Sequence, residues 1–404
     1  MITITRQPYL YAPSQNAMIW EFTCDNNNTL YYNVLVKKAV TNEILIKTTI
    51  YLPPSSNKSF IDIQAIIDAQ TSTPIDNSDN VLVNLDGVIS YYLEITGIDN
   101  AGNITEPKLT TGINHAFNGK LNNFDLFNNL MNSYFLQKGY EHKFLSDRPT
   151  FSFLHYVQKE HLYFLADNTS DVGNITFFLT YKNGTEQTHM MDFTNPQNKK
   201  LHRLNLSPRS LSEQIGFDLQ NLKTITVYIA DNDGVQMSED RTYNLMVYNC
   251  NQTLCNINWI NEFGGMTSNT FISPRETKSS TKNVINTNGY LNRINGVYQP
   301  FQKVVNTSIA NRYIITSQVL SDEEYDAFSS IINSRNVYTE LNSGELYPIV
   351  LDTNNIDVLK KKYTKTRNRM NLEFTSNANL KLELFLVPAE IVSEGFDYNL
   401  DFFL

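Results

Sequence analysis

The sequence predicts a mainly β protein, with tandem β-sandwich domains followed by a C-terminal α+β domain. Three observations lead there. Short runs of β-branched and aromatic residues recur along the chain, bounded by clusters of Pro, Asn, Ser and Gly, which is how half-buried strands read in a sequence. The 404 residues exceed what one hydrophobic core usually organises, so several domains are expected. Apolar residues make up 41% of the chain and charged residues 18%, which is enough to build cores and too little charge for a disordered polymer. The expected domains are residues 1–110, 111–250 and 251–404.

In the first domain, Ala17 to Phe22, Tyr31 to Val36 and Ile44 to Ile46 are β-rich runs separated by turn residues. The run from Ser90 alternates its side chains and ends in the turn sequence Asp99-Asn100-Ala101-Gly102-Asn103. That hairpin resembles the terminal hairpin of fibronectin type III and related immunoglobulin-like modules, so the resemblance implies an immunoglobulin/fibronectin III-like N-terminal sandwich.

The second domain opens with Phe124, Phe127, Leu130 and Met131 at helical spacing, read as a linker or short packing helix. A second sandwich is then expected from Phe151 to Tyr156, Leu162 to Leu165, Ile175 to Tyr181, Thr224 to Ile229 and Arg241 to Tyr248. Asn183-Gly184 between β-rich runs is a strong hairpin signal.

In the third domain, Gly264-Gly265 permits positive φ in a tight turn, with Phe263 beside it and Trp259 and Phe271 on the flanking strands as a pair packing across it. Ser321-Asp322-Glu323-Glu324 reads as a capping box: the Ser321 hydroxyl accepts from the Glu324 N–H, and Glu324 reaches back. The helix it starts carries Tyr325, Phe328, Ile331 and Ile332 on one face and stops near Ser334 to Asn336. Strands are expected at Val337 to Glu340, Leu346 to Leu351 and Tyr363 to Phe374. The last follows Lys360 to Lys362 and carries Lys365, Arg367 and Arg369, the one basic cluster of the sequence.

The pattern W-x-N-x-x-G-G-x-x-x-x-x-F formed by Trp259, Asn261, Gly264, Gly265 and Phe271 resembles a segment of tail and neck proteins of Bacteroidetes-infecting tailed bacteriophages, including the crAss-like phages. The order of capped helix, strand, turn, Pro348-Ile349-Val350 strand and basic strand is similar to the closing domain of those proteins and, more distantly, of distal-tail ring proteins. The resemblance spans roughly residues 140–385. It implies a virion structural protein, assembled in the bacterial host cytoplasm, whose partners are copies of itself in a cyclic ring and other tail or portal-proximal proteins. Trp259, Phe263, Gly264, Gly265, Phe271, Ser321 and Glu324 are the candidate assembly and structural residues. The alternative is an adhesin or receptor-binding protein presenting its N-terminal sandwich to host glycans, a reading weakened by the absence of a fixed-period repeat.

Other function classes are disfavoured by composition and motif. A net charge of −9 offers no basic field, so contact with DNA is expected to be non-specific at most. The three cysteines, Cys24, Cys250 and Cys255, suggest no disulfide framework, and Cys250 and Cys255 lack the neighbours of a zinc site. No run approaches a membrane span, and the N-terminus has no signal-peptide pattern. No G-x-S-x-G, H-E-x-x-H, Walker-A or dinucleotide glycine motif occurs, so neither an enzyme nor a cofactor is expected. All six histidines precede Cys250, and His155 and His161 are placed to share a hairpin.

Overall fold

In a computed structural model, residues 1–53, 56, 58–121, 134–139, 141–246, 254–286, 293–298, 302–341, 344–352 and 369–376 are described. The chain divides into two compact units, Met1–Val247 with Trp259–Ser268, and Tyr248–Asn258 with Asn269–Leu404.

The first unit holds two β-sandwiches. In one, a three-stranded sheet of β1 (Ile2–Arg6), β3 (Ile19–Cys24) and β6 (Lys58–Asp62) faces a sheet ordered β2 (Tyr11–Pro13), β10 (Asn114–Phe117), β8 (Val88–Ile98), β4 (Tyr31–Lys38) and β5 (Ile44–Tyr51), with β9 (Ile104–Thr110) also on β8. Alternation in the sequence sets which side chains point inward: Trp20 and Phe22 of β3, Tyr32, Val34 and Val36 of β4, and Tyr91, Leu93 and Ile95 of β8 are all buried. Helix α1 (Gln64–Asp68) contributes Ile67 to the same core. The β8–β9 turn works as its sequence suggests. Asp99 Oδ1 accepts from the N–H groups of Ala101 and Asn103, both at 2.8 Å, and Gly102 takes φ +85°.

The other sandwich packs a five-stranded sheet against a three-stranded one. The first is ordered β11 (Phe151–His155), β17 (Arg241–Met246), β16 (Leu222–Asp231), β13 (Val172–Tyr181) and β14 (Glu186–Asp192). The second is ordered β12 (His161–Leu165), β15 (Leu201–Asn205) and β7 (Leu82–Leu85). Phe164, Phe177, Leu179, Leu204, Val227 and Ile229 fill the core, closed at one end by α2 (Pro208–Ile215) through Leu211. Gly184 takes φ +83° in the β13–β14 hairpin.

Both sandwiches cross the boundary expected at residue 110. Strand β10 lies beyond it yet closes the first sandwich, pairing His115 with Tyr11 on one side and with Ser90 on the other. Strand β7 lies before it yet belongs to the second, with Leu85 opposite Leu201. Such long-range pairings leave no local mark, because each strand alone carries only its own alternation. The helix expected at Phe124 to Met131 lies outside the described residues, as do Cys250, Lys360 to Lys365 and Arg367. His155 and His161 sit on strands of different sheets rather than sharing a hairpin.

The second unit is built on a closed six-stranded barrel, β18 (Leu254–Ile260), β19 (Met266–Asn286), β22 (Gln302–Ser317), β25 (Asn371–Ser376), β24 (Leu346–Leu351) and β23 (Val337–Glu340). A two-stranded tip, β20 (Arg293–Ile294) and β21 (Val297–Tyr298), lies between β19 and β22 in sequence. Helix α3 (Asp322–Phe328) and the 3₁₀ turn Ser329–Asn333 complete this α+β part. Its capping box is formed in full, with Glu324 N–H on Ser321 Oγ and Ser321 N–H on Glu324 Oε2, both at 3.1 Å. Phe328 and Ile331 are buried, as the helical face requires. Tyr313 of β22 stacks on its cross-strand partner Phe374 of β25, centroids 5.1 Å apart.

Candidate assembly site

The Gly-Gly hairpin is an internal clamp. Asn261 N–H donates to Gly265 C=O at 2.8 Å, and Asn261 Oδ1 accepts from Phe263 N–H at 2.9 Å and Gly265 N–H at 3.1 Å, which fixes the turn. Gly264 sits at φ +86°, and a Cβ there would collide with the Asn118 carbonyl; one on Gly265 would collide with the Leu145 carbonyl. The approach is held by Lys120 N–H on Glu262 C=O and Thr73 Oγ1 on Gly264 C=O, both at 2.6 Å. Phe263 is half-buried and stacks on Tyr134 at 5.5 Å.

Below the turn lies a buried polar cluster. Ser268 Oγ donates to Glu160 Oε2 at 2.8 Å, Gln158 Nε2 donates to Ser268 C=O at 2.9 Å, and Arg148 Nη2 lies 3.3 Å from Glu160 Oε2 and also bonds Ser268 C=O. The side chains of Arg148 and Glu160 are both fully buried. Burial pushes the Glu160 carboxyl up, while Arg148 and Ser268 pull the other way. Such a pair fixes geometry, and breaking it strands a charge.

Trp259 and Phe271 are both buried. On the same two strands, Thr270 Oγ1 donates to Asn256 Oδ1 at 2.7 Å. Ser321 and Glu324 act locally, in the cap of α3. The sequence-predicted residues thus mark internal structure: Phe263, Gly264 and Gly265 meet in the clamp, and Ser321 and Glu324 at a helix start.

The surface feature that sequence reasoning missed is the ribbon made by β19 and β22. They pair from Phe271↔Ser317 to Asn286↔Gln302, with small register shifts. Among the described residues, strand β25 accompanies β22 from Asn311 to Thr316. From Ser279, opposite Ala310, outward, each strand of the ribbon pairs only with the other among the described residues. At about 3.4 Å per residue, the eight residues Ser279 to Asn286 extend roughly 27 Å. Val284 stands opposite Val304, each 46% exposed, and Val305 and Val297 are exposed as well. The segment Thr277 to Asn286, TKSSTKNVIN, has no apolar alternation, and that signal is what a strand with a buried face would have given.

A cleft of about 560 Å³ opens in the first unit between β8, β10 and the residues 197–200. Ser90 Oγ and His115 Nδ1 lie 2.8 Å apart on its floor, and Lys199 and Lys200 line its wall. Burial, with Lys200 beside it, lowers the His115 pKa to about 4, so the imidazole is neutral at pH 7 and too weak a base to activate the serine well. The pair is a hydrogen-bonding floor. Among the described residues no three His, Cys, Asp or Glu side chains gather as a metal site would need, and no helix is long and apolar enough to cross a membrane.

No protein-family model matches the chain, and no curated protein sequence matches it. Among solved structures, it is similar to CBD12 from CALX1.2, at 9% identity over 57% of this chain and 79% of that one, with a TM-score of 0.18. It is similar also to the chicken CNTN1 FN1-FN3 domains, at 8% identity over 57% and 62%, TM-score 0.18. The third likeness is to Dpr2 Ig1-Ig2 in complex with DIP-Theta Ig1-Ig3, at 10% identity over 61% and 99%, TM-score 0.16. At these TM-scores the architecture rests on the sheets and registers given above.

Proposed function

We propose that the chain is a structural component of a tailed-phage virion that assembles into a ring in the tail or neck, the β19–β22 ribbon making the subunit contacts. The observation that carries the assembly reading is the ribbon itself. A two-stranded hairpin is marginal in water, and two unpaired edges with exposed valines are a liability in a protein that stays alone. A ribbon that adds to a neighbouring copy satisfies its backbone and covers its apolar side chains, and a heterologous contact of that kind closes into a ring by rotation. The phage setting comes from the resemblance carried by Trp259, Gly264, Gly265 and Phe271, which also implies other tail or portal-proximal proteins as neighbours. Native mass spectrometry of the full chain across concentrations, with negative-stain imaging, tests it. A closed cyclic oligomer supports the reading, and a monomer throughout counts against it.

The cleft at Ser90 and His115 favours a second reading, a host-surface module that binds a glycan. Its size falls in the range of small-ligand sites, and its floor and wall offer hydroxyl, imidazole and amine groups to sugar hydroxyls. Binding on a glycan array that is lost in Ser90→Trp supports that reading, and no binding argues against it.

A further inference from the structure

We infer that the ribbon docks on the free edge of β14 in a second copy of the chain, extending the five-stranded sheet of its second sandwich. The inference rests on the self-assembly reading above and names the surface that receives the arm.

Charge separates the ribbon from everything else. Residues 272–310 carry five Lys or Arg, among them Arg275, Lys282 and Arg293, against the single acid Glu276, a net of +4. The whole chain is −9, so all the rest of it is −13. A basic arm on an otherwise acidic molecule is complementary to another copy of that molecule, and this field steers encounter and fixes register.

Among the described strands at sheet edges, β14 is the one with a net negative charge. It holds Glu186 and Asp192 and no Lys or Arg. Strands β1 and β5 are basic through Arg6 and Lys47, β6 and β9 each balance one acid against one base, and β2, β7, β11 and β12 carry no Asp, Glu, Lys or Arg. Among the described residues β14 pairs with β13 alone, leaving its second edge open, and the closed barrel offers no edge besides the ribbon itself. Its chemistry also matches the arm. Glu186, Thr188, Met190 and Asp192 lie on one face by strand alternation, and Met190 is 70% exposed between the acids. The ribbon presents Lys282 two residues from Val284, and Val284 faces Val304 across the pair. Strand addition would bond the two backbones, set Met190 against the valines and bring Lys282 to the acids, as in other edge-strand recognition. Seven residues of β14 need about 24 Å of partner, which the ribbon supplies.

The test uses the full chain with Cys250→Ser; Cys24 and Cys255 are buried. Met190→Cys chains are mixed with Val284→Cys chains, assembled, oxidised and run without reductant. A covalent dimer containing one chain of each kind is expected. In parallel, Glu186→Lys with Asp192→Lys should raise the concentration for half-assembly by about 10-fold, and adding Lys282→Glu should restore most of that loss. Wild-type oligomers with neither cross-linking nor a charge effect overturn the β14 assignment and leave self-assembly standing. A wild type that is monomeric at every concentration overturns both. Protection of the ribbon from protease in a dilute monomer means that the same chain covers it, which also overturns the inference.

Discussion

Replacing Gly264 by Ala tests whether the turn is a clamp within the chain. The backbone there has φ +86°, and the left-handed region costs a non-glycine residue roughly 1–2 kcal/mol. The added Cβ also meets the Asn118 carbonyl, so the two segments must separate. Separation weakens the Lys120–Glu262 and Thr73–Gly264 hydrogen bonds, each worth about 1 kcal/mol. The sum is about 3–4 kcal/mol, a large share of a typical stability of roughly 5–15 kcal/mol. Gly102 is the internal control: it has nearly the same φ, +85°, with no atom within 4 Å of a Cβ. Urea unfolding followed by fluorescence should therefore show Gly264→Ala losing at least about 2 kcal/mol more than Gly102→Ala. Equal losses in the two variants would refute the clamp, because strain at φ alone would then explain both.

Arg148→Met should cost roughly 3–5 kcal/mol, since it leaves Glu160 buried without its cation; adding Glu160→Gln should recover part of the loss in the same urea assay. Acid should also destabilise the first unit through its buried histidines. Burial lowers the pKa of His155 to about 3 and of His202 to about 4, so both stay neutral in the fold while the unfolded chain takes up protons below about pH 6.5. Their contribution is complete above that pH and falls as pH drops toward 4, by on the order of 3 kcal/mol each. Unfolding midpoints at pH 7.5 and 4.5 should differ less in His202→Asn than in wild type; an unchanged difference would contradict the assignment.

What the sequence made legible was local. The capping box at Ser321 and Glu324, the Asn183-Gly184 hairpin and the alternating strands around Trp20, Tyr32 and Leu93 follow from residue types within a few positions of one another, and each forms as expected. Partner choice was not legible. Nothing in Leu82 to Leu85 says that they pair with Leu201 to Leu204, and nothing in Asn114 to Phe117 says that they close the first sandwich. At Gly264 the glycine requirement was visible, but the Asn118 carbonyl that enforces it is distant in sequence, so the turn read as an assembly feature. The ribbon went unread for the opposite reason: Lys282 to Ile285 and Val304 to Thr307 are all exposed, so its outer part carries no hydrophobic period. The sites that read clearly are those the chain satisfies by itself, whereas a surface awaiting a partner looks like polar loop.

If the ribbon holds copies of this chain together, removing it should leave single chains. The most direct test is sedimentation velocity on the full chain beside a variant in which residues 280–309 are replaced by Asn-Gly, a two-residue turn joining positions paired in the native ribbon. A concentration-dependent oligomer is expected for the full chain, and for the shortened one a monomer that still unfolds cooperatively and loses only the β circular dichroism of the strand residues removed. An oligomer of the same size from both chains would contradict the ribbon's role.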